Sequence, residues 1–174
     1  MGYNDNSRYN KNFDNSKKFN SEVIVPVAVK VTGFYNADGT LKADLFDSEA
    51  QKIASSWIGS KDGKAIGVTS SQLRRVYDEV KRFELLLVPG SNQWEKQYAY
   101  IKLIKSKAAY TLTRAGKKDK SLKGLYANLN TFIASSIDLI KTEADYKVFS
   151  SLFEAAYGFY YQMANEKKIE NVDE

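Results

Sequence analysis

The sequence predicts an all-α fold: a single compact helical bundle of about five helices with a flexible polar N-terminal arm. From Asp44 onward, apolar residues recur three and four positions apart in five successive segments, the spacing that places side chains on one face of a helix. Glycine, proline or clusters of lysine interrupt the pattern between segments. At 174 residues, of which 43% are hydrophobic, the chain can form one domain with a proper core.

The segments outside the bundle differ in composition. Residues 1–22 are rich in asparagine, lysine and serine, show no period and are predicted to be disordered. Residues 23–43 are predicted to form an extended arm or a short strand followed by a turn, NADG at 36–39. Within VIVPVAVKV, residues 23–31, Pro26 restricts any strand to a sheet edge, and no partner strand is evident. The helical bundle occupies residues 44–165, and a polar C-terminal tail follows at 166–174.

The first predicted helix runs from Asp44 to about Gly59, and a flexible loop, GSKDGKAIG, connects it to the second. The second helix begins at Thr69, which fits a capping box with Gln72, and Pro89-Gly90 ends it. The apolar faces consist of Leu45, Phe46, Ala50, Ile53 and Trp57 in the first helix and of Leu73, Val76, Tyr77, Val80, Phe83 and Leu87 in the second.

The other side of the second helix is basic. Its cations are Arg74, Arg75, Lys81 and Arg82. One interpretation is a solvated helix exterior on which Arg74, Asp78 and Arg82 pair at a spacing of four, and such exposed pairs contribute only about 0.2–1 kcal/mol each. The other interpretation is a surface for an anionic ligand, which the formal net charge of +5 favours.

The third helix, opened by Asn92 with Glu95 and running to about Arg114, gives more information. Its core stripe is Trp94, Tyr98, Ile101, Ala108 and Leu112. Its far side carries Lys96, Tyr100, Leu103, Lys107, Tyr110 and Arg114. Cations neutralise phosphates and rings stack on bases, so this alternation is typical of a nucleic-acid surface. The alternative is that the tyrosines and Leu103 pack against a second neighbouring helix.

The remaining segments complete the bundle. GKKDK, residues 116–120, is predicted to end the third helix, and Lys117, Lys118, Lys120 and Lys123 continue the positive charge. The fourth helix has an apolar face of Leu122, Leu125, Leu129, Phe132, Ile133 and Ile140. Thr142 to Asp145 resembles a cap, and the fifth helix buries Phe149, Leu152, Phe153, Ala156, Tyr160 and Met163.

Composition excludes several kinds of site. Histidine and cysteine are absent, which removes the usual zinc sites, disulfides and Cys or His catalysis, and suits a reducing cytoplasm. No apolar run approaches the roughly 18 residues that cross a bilayer, and the N-terminus lacks a signal-peptide core. The carboxylate pairs Asp44/Asp47 and Asp78/Glu79 fit helix caps and ion pairs. We therefore predict no catalytic residues, no metal and no cofactor.

Three stretches carry a family resemblance. VTSSQLRRVYDEV, LIKSKAAYTLTR and DYKVFSSLFEAAYGFY, together with DGTLKADLFDSEAQKIASSW upstream, resemble the small subunit of the type III-A CRISPR effector (Csm) complex. The match covers roughly residues 38 to 163 in the expected order. The resemblance implies a non-catalytic helical bundle, present in several copies that line the groove in which guide (CRISPR) RNA and target RNA pair. It implies a cytoplasmic, prokaryotic antiviral role beside RNA-cleaving backbone subunits and the large polymerase-like Cas subunit.

The basic helix faces and the family resemblance together give one set of candidate RNA-binding residues. The resemblance places Arg74 and Arg75 at the family's arginine position, and Lys105, Lys107, Tyr110 and Arg114 in its basic motif. The full set is Arg74, Arg75, Lys81, Arg82, Lys96, Lys105, Lys107, Tyr110, Arg114, Lys117, Lys118 and Lys120. The alternative function, which involves no RNA, is that of a purely structural helical adaptor whose basic face contacts acidic protein partners. Apolar residues off the main stripes are candidates for contacts between copies: Leu85, Leu86, Val88, Phe159 and Tyr161.

Overall fold

The computed structural model describes residues 22–87 and 93–170. Five α-helices and a small three-stranded sheet account for the regular structure of these residues. The prediction of an all-α bundle of about five helices is therefore confirmed. Several predictions lie outside the described residues: all but the last residue of the disordered tail predicted at 1–22, the candidate contact residue Val88, the Pro89-Gly90 helix end, the cap at Asn92 and residues 171–174 of the polar C-terminal tail. In the described part of the chain, none of the helices has the length and apolar character needed to cross a bilayer.

The elements follow one another in this order along the chain: β1 Val23–Ile24, a π-helical turn Leu45–Glu49, α1 Ala50–Ser55, β2 Ile58–Lys61, β3 Lys64–Gly67, α2 Ser70–Leu86, α3 Gln93–Lys118, α4 Lys123–Leu139 and α5 Glu143–Glu166. The NADG turn is present, with the N–H of Gly39 donating to the carbonyl of Asn36 at 3.0 Å.

The first helix is shorter than predicted. It ends at Ser55, because Trp57 then enters the core and the chain continues as β2. Trp57 is fully buried against the rings of Phe132, Phe153 and Tyr160. Phe46, predicted on the apolar face, is instead exposed, because Leu45–Glu49 forms a π-helical turn that shifts the spacing of the face.

The predicted flexible loop at 59–67 is wrong, because these residues belong to a β-hairpin. Strands β2 and β3 pair antiparallel, with Ile58 opposite Gly67 and Lys61 opposite Lys64. The two connecting residues, Asp62 and Gly63, both have positive φ, 51° and 78°. Asp-Gly is a strong signal for a two-residue hairpin turn of this kind, because glycine adopts positive φ without strain.

The N-terminal arm is attached to the same hairpin. Strand β1 pairs antiparallel with β2 at the edge of the sheet, so the expectation that Pro26 confines it to an edge is confirmed. Its partner strand, not evident from the sequence, is β2. The amide of the buried Asn128 on α4 donates to the carbonyls of Pro26 and Ser56, both at 2.8 Å. The arm is thereby fixed to the bundle.

Two predicted helix caps have different outcomes. Thr142 accepts the N–H of Asp145 at 3.2 Å, and the Asp145 carboxylate accepts the N–H of Thr142 at 2.8 Å, which is a complete capping box. Thr69 is the N-cap of α2, but its side chain makes no cap hydrogen bond. Its hydroxyl instead lies 3.1 Å from that of Tyr126 on α4. The predicted capping box at Thr69 is therefore wrong.

Helix α3 is longer than predicted and lies antiparallel to α4. It continues through Gly116 to Lys118, because Gly116 packs against the backbone of Lys123 at the start of α4 and a glycine allows this approach. At the other end, Lys102 donates to the carbonyls of Ile137 and Ile140 at 2.6 and 3.0 Å, which stabilises the C-terminus of α4. The predicted break is therefore only the short connection after Lys118.

The remaining core predictions hold in the main, although Tyr77 on α2 and Trp94 and Tyr98 on α3 are only half-buried against the core. All the predicted apolar residues of the fourth helix are buried, as are those of the fifth apart from Met163, which is half-buried. The predicted polar tail begins where α5 ends, at Glu166, although Ile169 within it is buried.

Candidate nucleic-acid interface

A groove lies between α2 and α3, and we call it the α2–α3 groove. Its polar end has a volume of about 330 Å³ and is lined by Gln72, Arg75, Tyr110, Thr111, Arg114, Ala115 and Lys118. It continues into a narrower part of about 220 Å³, lined by Arg75, Val76, Glu79, Ile104, Lys107, Ala108, Tyr110 and Thr111.

Helical spacing explains why these side chains meet. Residues 72, 75 and 79 follow one another at three and four positions on α2, as do residues 107, 111, 114 and 118 on α3. Each row flanks a core stripe. Val76, Ile104 and Ala108 are buried at the floor of the groove, so packing of the two stripes brings the flanking rows together.

The polar end of the groove presents unpaired cations. In the described part of the chain, no ion pair joins Arg75, Arg114 or Lys118 to a carboxylate. All three residues are exposed. Two guanidinium groups and one ammonium group therefore face the same space, and no carboxylate of the described residues neutralises them.

A carboxylate of the narrower part, Glu79, lies between Lys107 of the same part and Arg82 of the adjoining outer face of α2. Glu79 accepts from Lys107 Nζ at 2.7 Å and from Arg82 Nε and Nη2 at 3.1 and 3.0 Å. The hydrogen bond from Arg82, with that from Lys107, outweighs partial burial and holds the pKa of Glu79 below its usual range. Lys107 and Arg82 therefore share one negative charge that stays ionised at neutral pH.

Other predicted cations are also paired. Arg74 lies 3.7 Å from Asp78, the pair expected from their spacing, but Arg82 binds Glu79 and not Asp78. Lys81 turns toward α5, with its Nζ 2.5 Å from Glu84 and 3.0 Å from Glu154. Lys105 turns toward α4 and contacts both carboxylate oxygens of Asp138, at 2.8 and 2.7 Å. Lys81 and Lys105 therefore lie away from the α2–α3 groove.

The aromatic residues on the far side of α3 face solvent. Tyr110 is 68% exposed, Tyr100 58% and Leu103 44%. The alternative that they pack against a second helix is therefore wrong. Tyr110 lies at the groove between Arg75 and Arg114, whereas Tyr100 lies nearly three turns before it and Lys96 about one turn before Tyr100.

The predicted RNA-binding residues therefore lie on several different surfaces of the protein. The groove collects Arg75, Lys107, Tyr110, Arg114 and Lys118, and Arg74 and Arg82 lie on the adjoining outer face of α2. Lys117 and Lys120 face α4 instead. Sequence reasoning missed Gln72, Glu79 and Thr111 as groove residues. Their spacing from Arg75 and Arg114 was a usable signal, because residues three and four apart share a helix face.

Three of the four acidic side chains singled out in the sequence have structural partners. Asp78 pairs with Arg74, Glu79 pairs with Arg82 and Lys107, and the Asp44 carboxylate accepts a hydrogen bond from the Ser48 hydroxyl at 3.4 Å. Among the residues with described positions, no three Asp, Glu, His or Cys side chains are grouped so that they could hold a metal ion.

Comparison with known proteins identifies the family. A family model described as Csm2 Type III-A matches residues 41–165, which covers α1 to α4, α5 except its last residue and the whole α2–α3 groove. Searches of curated protein sequences and of solved structures give no match. The matched region is well over half of the 174 residues and agrees with the resemblance found in the sequence. The chain therefore belongs to the Csm2 Type III-A family, the small subunits of type III-A CRISPR effector complexes.

Proposed function

We propose that this small subunit binds RNA through the α2–α3 groove and does not cleave it. The observation that carries the proposal is the group of unpaired cations Arg75, Arg114 and Lys118 beside the exposed ring of Tyr110. Cations without internal partners can exchange water and counterions for phosphates at little cost, and an exposed ring can stack on a base of any sequence. Contacts of this kind position a strand, and base pairing within the RNA supplies sequence specificity.

Within the effector complex, we propose that several copies of the subunit line the groove that holds paired guide (CRISPR) RNA and target RNA, in a cytoplasmic antiviral ribonucleoprotein. Its protein neighbours there are the RNA-cleaving backbone subunits, the large polymerase-like Cas subunit and other copies of itself. Leu85, 80% exposed, and Leu86, 41% exposed, support such contacts, because they offer an apolar surface at the end of α2. Phe159 and Tyr161, the other described candidates, are half-buried against the core and support them less.

The number of copies also matters for affinity. One groove supplies three unpaired cations, so one copy should bind at the weak end of non-specific affinity, roughly 10⁻⁴–10⁻⁶ M on the DNA scale. Successive grooves on linked copies make later contacts effectively intramolecular, which can raise avidity by about 10²–10⁴. Because the exposed apolar surface at Leu85 and Leu86 is small, the isolated protein is expected to be a monomer or weak dimer.

Fluorescence anisotropy with labelled single-stranded RNA at a series of salt concentrations tests the proposal. We expect weak binding of unrelated sequences with similar affinity, and a slope of log affinity against log salt of about −0.7 for each phosphate contact. The RNA should remain intact with and without divalent metal. RNA cleavage that survives removal of contaminating nucleases would contradict the non-catalytic role, and salt-independent binding would contradict phosphate recognition.

The alternative, a structural adaptor whose basic face meets acidic protein partners, makes a different prediction in the same assay. RNA would then bind no better to the wild-type protein than to a variant without the groove cations, while recruitment into the protein complex would still depend on those cations.

A further inference from the structure

A second pocket lies on the other side of α3, between α3 and α4, and we call it the α3–α4 pocket. Its volume is about 540 Å³, within the usual range for small-molecule sites. Its lining combines exposed and buried residues. Lys117, Lys120 and Lys123 are exposed, whereas Leu112 and Tyr126 are 1% and 3% exposed and form an apolar interior.

In the part of the chain that the structure describes, none of the three lysines of the pocket forms an ion pair with a carboxylate. The nearest acidic residue in the sequence, Asp119, accepts from the backbone N–H and the hydroxyl of Ser121 at 2.9 and 2.6 Å. Lys117, Lys120 and Lys123 therefore leave a concentrated positive charge at the exposed part of the pocket, which suits a phosphate group.

A buried acceptor in the same pocket is without a donor. Asn130 lines the pocket, and its Oδ1 is buried with no hydrogen-bond partner among the described residues. Buried polar atoms in native proteins are nearly always hydrogen-bonded, so this acceptor is available to a donor that enters the pocket. A ligand that uses it must donate a hydrogen bond to the amide oxygen.

These three features together restrict the chemistry of the ligand. A free phosphate would satisfy the lysines, but it would leave the apolar part of the pocket at Leu112 and Tyr126 empty. A nucleotide has all the required parts: a negative phosphate, a flat apolar base and N–H donors on the edge of that base. We infer that the α3–α4 pocket binds one nucleotide, with its phosphate at the lysines and its base beside Leu112, Tyr126 and Asn130.

The nucleotide has two possible sources, a free nucleoside monophosphate or one unit of an RNA strand. The second source rests on the function proposed above, since it requires RNA on this protein. It adds to that function a pocket that bonds the edge of a base, whereas the α2–α3 groove offers cations for phosphates and one exposed ring for stacking. Every common base carries an N–H donor, so the acceptor of Asn130 does not select among them.

Adjacent residues of α3 supply a matched pair of variants. Lys117 lines the α3–α4 pocket and Lys118 lines the α2–α3 groove, and both are exposed. Lys117→Gln and Lys118→Gln therefore remove the same charge one residue apart and leave the core unchanged. Asn130→Leu removes the acceptor with little change in volume, and its folding is checked by thermal melting. If Asn130→Leu does not fold, Lys117→Gln alone carries the test.

Two measurements are made on the full chain. In the first, adenosine monophosphate and ribose 5-phosphate are titrated while backbone amide NMR signals of Ala127 and Asn130 are followed. In the second, anisotropy compares an RNA strand with an abasic strand of the same length. In at least one measurement, we expect the ligand that carries a base to bind more tightly than the ligand without one. Lys117→Gln and Asn130→Leu should each weaken this base-dependent binding fivefold or more. In Lys118→Gln, the difference between the two ligands should be unchanged.

The two measurements separate the possible results. A response to adenosine monophosphate alone that follows Lys117 and Asn130 supports a site for free nucleotide, even if RNA binding fails. A base-dependent response only with the strand, following the same two residues, supports the RNA source. If neither Lys117→Gln nor Asn130→Leu changes base dependence, the inference is wrong. The RNA-binding function then still stands if Lys118→Gln weakens binding of both strands equally.

Discussion

The two ends of the α2–α3 groove carry the same kinds of side chain but differ in what those side chains contact. At one end, the Glu79 carboxylate binds both Lys107 and Arg82, which lies on the adjoining outer face of α2. At the other, Arg75, Arg114 and Lys118 form no ion pair within the described residues. The first group offers a ligand one net positive charge and the second offers three. A count of basic residues on a surface therefore overstates the charge available to RNA.

The largest expected effect comes from removing the unpaired cations. The triple variant Arg75→Gln, Arg114→Gln, Lys118→Gln should lose about tenfold or more in RNA affinity at low salt, and its log–log salt slope should flatten by about 2, because three phosphate contacts are lost at about 0.7 each. Fluorescence anisotropy over a salt series measures both quantities. Helical circular dichroism should be unchanged, since all three side chains are exposed.

The matched control removes three paired cations. The triple variant Lys81→Gln, Arg82→Gln, Lys105→Gln lowers the net charge by the same amount, but each of these residues binds a carboxylate, and Lys81 and Lys105 turn toward α5 and α4. Its RNA affinity should stay within about threefold of wild type, because only the long-range field changes. Equal losses in the two triple variants would mean that net charge, and not pairing, decides RNA binding.

Tyr110 should have the next largest effect. Stacking of a base on an aromatic side chain contributes about 1–3 kcal/mol, so Tyr110→Ala should weaken RNA binding about fivefold or more, and Tyr110→Phe should retain most of the affinity. Tyr100→Ala is the control, because Tyr100 is similarly exposed on the same helix but lies outside the groove. Equal losses of RNA affinity in Tyr100→Ala and Tyr110→Ala would contradict the proposal that RNA binds at the α2–α3 groove.

A smaller effect of opposite sign is expected when the paired end is released. Glu79→Gln leaves Lys107 and Arg82 without their shared carboxylate, so RNA affinity should rise about two- to threefold and the salt slope should become steeper, by at most about 0.7 for each cation that gains a phosphate. Glu154→Gln is the control, since its partner Lys81 lies away from the groove. Weaker RNA binding by Glu79→Gln would instead mean that Glu79 positions the two cations for RNA.

The smallest effect concerns stability. Burial opposes ionisation of Glu84, but hydrogen bonds from Lys81 and Ser150 outweigh it and lower the pKa of Glu84. A lowered folded pKa stabilises the protein above the unfolded value of about 4.5, and this stability is lost as pH falls through the folded pKa. Lys81→Gln should therefore cost about 0.2–1 kcal/mol at pH 7 and progressively less in acid. Urea unfolding at several pH values measures this, with Arg75→Gln as a variant expected to show no loss at any pH.

Local patterns explain which parts of this structure were predictable. The stripes of α2, α4 and α5 and the capping box at Thr142 depend on residues within a few positions of one another, and they were predicted correctly. The hairpin was missed although Asp62-Gly63 is a turn signal, because its strands have only four residues each and Lys61 and Lys64 resemble a loop. The Thr69 hydroxyl does not form the predicted local cap, because it contacts the Tyr126 hydroxyl, which lies 57 residues away in the sequence.

Only part of the candidate site was predictable, because some of its contacts join residues that are far apart in the sequence. Exposure of Tyr110 and Arg114 follows from their position opposite the core stripe of α3. The pairing of Lys107 does not, because Glu79 lies 28 residues away on another helix and no local pattern links them. The separation of Lys117 from Lys118 was also unpredictable, because it requires α3 to continue past Gly116 so that successive residues face α4 and α2.

The most direct test of the central claim is to map where RNA touches the subunit. A 4-thiouridine RNA is bound to the wild-type protein, cross-linked by light and digested, and the modified peptides are identified by mass spectrometry. The proposal predicts cross-links in the segments 72–75 and 107–118, with Tyr110 among the modified residues. Cross-links concentrated in α5 or in the first half of α3, with residues 72–75 and 107–118 unmodified, would contradict it.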